Sequence, residues 1–66
     1  MPNAVPQSTF ESVAKELLAN AATLLAAERR SYAAIEAVWG GPSTDAHTNF
    51  IGVADALDAL ASDLRA

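Results

Sequence analysis

The sequence predicts an all-α chain: an antiparallel hairpin, with helices at about 8–39 and 43–65, that pairs with a similar hairpin into a four-helix bundle. Three observations lead there. Residues 8 to 39 are dominated by Ala, Leu, Glu and Arg, all strong helix formers, and strand-favouring β-branched and aromatic residues are thinly spread. Apolar residues recur every seven positions through that stretch, and Trp39-Gly40-Gly41-Pro42 then interrupts the pattern before a second amphipathic run.

Residues 1 to 7 hold Pro2 and Pro6 without apolar periodicity and read as an extended arm, followed by a single hairpin domain over 8–66. Ser8-Thr9-Phe10-Glu11 has the spacing of a capping box, which would start the first helix at Ser8. Three columns follow: Phe10, Leu17, Leu24, Ser31 and Val38; Leu18, Leu25, Tyr32 and Trp39; and Ala14, Ala21, Glu28 and Ile35. On a 3.6-residue turn they form one broad stripe.

Gly40 and Gly41 suit the left-handed conformation that closes a helix, and Pro42, without an amide hydrogen, cannot continue one. Ser43 or Thr44 would cap the second helix, with Asp45 favourably placed in its first turn. Ala46, Phe50, Val53, Leu57, Leu60 and Leu64 alternate at spacings of four and three, the seam of one helix lying along another. Asp55, Asp58, Ser62 and Asp63 fall away from that seam and should be solvated.

A chain of 66 residues without cysteine and with one histidine lacks disulfides and metal sites as routes to extra stability, which leaves oligomerisation. Sixteen alanines inflate the 52% hydrophobic content, so the effective core is small. The net charge of −4, with Lys15, Arg29, Arg30 and Arg65 as cations, gives no basic stripe for nucleic acid. No apolar run approaches the roughly 20 residues of a membrane span, so no membrane insertion is expected. Met1 to Pro6 lacks a signal-peptide pattern, which implies synthesis in the cytoplasm; lack of cysteine suits any later compartment.

Folding back from the turn sets Leu64 level with Asn20, and a helix of about 31 residues outreaches one of about 22 by roughly 13 Å. The overhang carries Phe10, Val13, Leu17 and Leu18, which with Leu24 and Leu25 form the expected partner-binding face. The alternative is that the first helix frays or bends so that the overhang packs locally. Small residues also align: Ala19, Ala22, Ala26, Ala33 and Ala37 on the first helix, and Gly52, Ala56 and Ala59 on the second. They would permit a close backbone contact, although alanine-rich sequences scatter such residues freely.

No catalytic residues, metal ligands or cofactor-binding groups are expected, because a two-helix hairpin has no pocket in which a nucleophile, base and orienting acid can converge. His47, beside Asp45 in the first turn of helix two, reads as a surface residue, and Arg29 and Arg30 as a solvated face. Tyr32 and Trp39 read as core and turn packing with polar tips that need partners.

Val38-Trp39-Gly40-Gly41-Pro42-Ser43-Thr44-Asp45-Ala46-His47 resembles the central signature of the Trp-x-Gly family, the early-secreted-antigen-like type VII secretion substrates. The flanking helices extend the likeness in pattern to nearly the whole chain. The resemblance implies that Trp39 closes the hairpin end, that Gly41 makes the turn, and that the hairpin pairs with a like or unlike hairpin as a homodimer or heterodimer. It also implies export without a cleaved signal peptide. Family members run longer, so this would be a short relative or one lacking its C-terminal tail. Their Tyr-x-x-x-Asp/Glu export tag follows the second helix; Tyr32-Ala33-Ala34-Ile35-Glu36 matches its letters inside helix one, so that role is not carried over. A partner would supply the tag. The rival expectation is a small regulatory inhibitor or adaptor, of the phage-encoded antiactivator kind, that docks its exposed apolar helix on a larger protein.

Overall fold

A computed structural model describes residues 6–41 and 44–66. Helix α1 spans Gln7–Trp39 and helix α2 spans Asp45–Arg65, packed as an antiparallel hairpin. Of the arm expected over residues 1 to 7, Gln7 belongs to α1, while residues 1 to 5, like the roles given to Pro42 and Ser43, lie outside the described residues.

The capping box does not form. Pro6, at φ −56° and ψ 142°, is the N-cap, so α1 starts at Gln7, one residue earlier than expected. Proline's fixed φ suits the helix entrance, and its carbonyl accepts from the Phe10 amide at 3.0 Å. Ser8 is thereby drawn inside the first turn, where its hydroxyl no longer has a cap's geometry. Glu11 Oε1 accepts instead from Gln7 Nε2 at 3.1 Å, one turn back.

The other end follows the expected chemistry, with α1 ending at Trp39 as expected. Gly40 N–H donates to Glu36 O at 2.7 Å and Gly41 N–H to Ala37 O at 3.1 Å. Gly41 sits at φ +92°, the left-handed conformation that ends a helix and that side chains resist. Gly40 is needed for space, since a Cβ there would come within 2.9 Å of Thr44 Cγ2. Thr44 caps α2, its hydroxyl accepting from the His47 amide at 3.1 Å, and α2 starts at Asp45 rather than residue 43.

The hairpin closes on alanines. Ala19, Ala22, Ala26 and Ala33 of α1 are buried with Ala54 and Ala61 of α2, and no large side chain among the described residues is fully buried. Leu57 and Leu64 lie half-buried against this seam. The alanine line expected on α1 is thus the inner face of the hairpin. Gly52, Ala56 and Ala59 are exposed, and a Cβ on Gly52 would meet nothing within 4 Å, so no close contact inside the hairpin explains that glycine. Within the expected α2 seam, Val53 and Leu60 also stand outside, because Ala54 and Ala61 occupy the direction of α1.

Candidate protein-binding face

Successive residues of an α-helix point about 100° apart, so neighbours two apart point to nearly opposite sides. Leu24 therefore lies opposite Ala22 and Ala26, and it is 72% exposed where they are buried. Phe10, Val13, Leu17, Ile35 and Val38 fall on Leu24's side of α1 and are exposed with it. These six apolar side chains of α1 face away from α2.

The flanks of the hairpin differ in chemistry. On one, Arg30 Nη2 bridges Asp55 Oδ1 at 3.1 Å and Asp58 Oδ2 at 2.5 Å. One turn pair along, Arg65 donates to Asn20 Oδ1 at 2.8 Å and Thr23 Oγ1 at 3.2 Å. Asp55 and Asp58 are therefore paired rather than merely solvated, and so is Arg30. The hydrogen bond to Asp58 pushes the Arg30 guanidinium pKa upward, against a smaller desolvation effect and with help from Asp55.

The opposite flank is apolar. Tyr32 packs on Phe50 with ring centroids 5.6 Å apart, and the Arg29 guanidinium lies over the Tyr32 ring, 5.6 Å from its centroid. Leu18, Leu25, Val53 and Leu60 share this flank and remain exposed. It continues into the outer side of α1, and a contiguous exposed apolar surface of this kind usually marks an interaction site.

All six side chains expected to meet a partner, Phe10, Val13, Leu17, Leu18, Leu24 and Leu25, are exposed. α2 ends at Arg65, level with Asn20 and Thr23, so the first turns of α1 have no helix beside them. The Tyr32 half of the aromatic expectation holds in part, through Phe50. Trp39 departs from it: the indole is 84% exposed and does not close the hairpin end. Its column points past the alanine seam, and the sequence had no marker for which stripe of α1 would meet α2.

His47 also departs from expectation. It is half-buried, and its Nδ1 lies 2.9 Å from the carbonyl of Ala33, so the ring ties α2 to α1 as the donor of a cross-helix hydrogen bond. The carbonyl can only accept, which fixes the proton on Nδ1. Thr44's cap on the same residue's amide holds the imidazole in reach.

Among the described residues there is no concave pocket and no group of three metal-ligating side chains, and neither helix is long and apolar enough to cross a membrane. No family model matches the sequence, and no curated protein or solved structure matches it either.

Proposed function

We propose that this chain is a non-enzymatic pairing subunit, a helical hairpin that buries its apolar face against another hairpin, in the manner of a type VII secretion substrate or its dimer partner. The observation that carries this reading is the division of labour around α1: alanines close the hairpin while Phe10, Leu17, Leu24 and their neighbours stand in water. Each large apolar side chain contributes on the order of 1.5–3 kcal/mol when covered, a large share of a small domain's total stability. The polar flank is satisfied within the chain by Arg30 and Arg65, which leaves the apolar side as the surface with something to gain.

The type VII part of the reading rests on the likeness around Trp39-Gly40-Gly41, and on the left-handed Gly41 that turns the chain there. Export without a cleaved signal peptide, and a tag supplied by the partner, belong to the same proposal. Native mass of the purified chain, alone and with hairpins made by the same cell, tests the pairing. A complex that Leu17→Asp or Leu18→Asp dissociates supports it, and a folded chain that stays monomeric against every such hairpin refutes it. Loss of the protein from culture medium when the secretion apparatus is deleted tests export, and unchanged release refutes it.

A further inference from the structure

The geometry points to a second copy of this chain as the partner, with α1 pairing antiparallel to its own copy about a two-fold axis between Leu24 and Leu25. This inference rests on the pairing function proposed above and names the partner and register.

The outer stripe of α1 maps onto itself when reversed about that point. Phe10 comes level with Trp39, Leu17 with Tyr32, and Leu24 with Leu25, so six large side chains meet one another in pairs. The remaining positions pair unlike residues: Ala14 comes level with Ile35, Ala21 with Glu28, Leu18 with Ser31, and Val38, at the edge of the stripe, with Glu11. A two-fold contact requires such self-complementarity, since one patch must serve on both sides. The reversal also places the uncovered first turns of one copy along the exposed Trp39 end of the other, which removes both exposed regions together.

Charge selects the antiparallel direction. Glu28 is the one charged residue in the three columns, and a parallel pair would set two Glu28 carboxylates side by side. Antiparallel pairing shifts them about 10 Å apart along the axis and puts a small Ala21 opposite each. Arg29, whose Nη1 lies 3.9 Å from Glu28 Oε1, supplies a local counter-charge.

The area is also sufficient. Ten large apolar side chains of α1 are 41% to 84% exposed, enough to supply one partner's share, about 800 Å², of a stable interface.

The sequence contains no cysteine, so single spin labels can be introduced cleanly. Thr9 and Ala27 are exposed and lie off the stripe, on one side of α1. In the antiparallel dimer, labels at Thr9→Cys are about 46 Å apart along the axis and labels at Ala27→Cys about 8 Å. Long distances for Thr9 with short ones for Ala27 support the inference; short distances for both, or a monomer with no intermolecular distance, overturn it. If that monomer still pairs with a different hairpin and Leu17→Asp breaks the pair, the self-pairing fails while the function stands. If it pairs with none, both fail.

Discussion

Ala26 is fully buried against α2, while Leu24, two residues before it, is 72% exposed on the far side of the same helix. The pair inverts the usual order of burial, in which leucine lies inside and alanine is incidental. An alanine seam lets two helices pack closely but removes little apolar area from water. The hairpin is therefore shaped by its small residues and left with its large ones to spend on a neighbour.

Enlarging the seam tests that assignment. Ala26→Leu should destabilise the hairpin by about 2 kcal/mol, because the added side chain has no room between the helices. Chemical denaturation measures it. Were α1 instead packed through its leucines, Ala26→Leu would be close to neutral.

The turn gives a second expectation. Gly41→Ala forces a side chain into the positive-φ conformation and should cost about 1 kcal/mol of stability. Thr44→Ala removes the α2 cap and should cost a similar amount, about 1 kcal/mol. Thermal melts of the two variants read both losses, and full stability in either would contradict the turn described above.

The polar flank should matter only a little. Arg30→Met breaks the bridge to Asp55 and Asp58 at an exposed site, where water screens the attraction. The melting temperature should fall slightly, and the difference from the parent should shrink as salt is raised. A large, salt-independent loss would mean that Arg30 is part of the core.

Much of this arrangement was legible in the sequence. Gly40, Gly41 and Thr44 mark the turn and cap by local chemistry that neighbouring residues suffice to decide. The unequal arms then place Arg65 near Asn20 by simple counting, in agreement with their 2.8 Å contact. The start at Gln7 was not legible, because Pro6 and Ser8 compete for the same cap within one turn. Nor was the inner face: two stripes of α1, one of alanines and one of leucines, have equal periodicity, and only the path of α2 selects between them. The exposure of Trp39 and the reach of His47 to Ala33 both follow from that selection.

Trp39 is the chain's single tryptophan, and it supplies the most direct test. Leu17 lies 22 residues earlier on the same rigid helix, about 33 Å away, too far to affect the indole within one chain. In the paired state, Trp39 is covered by the N-terminal turns of a second α1. Leu17→Asp should therefore raise the acrylamide quenching of Trp39 and shift its emission to the red, while helical circular dichroism is retained. Equal quenching in the parent and Leu17→Asp would contradict the account, since it would show that Trp39 has the same surroundings whether or not the outer face of α1 can pair.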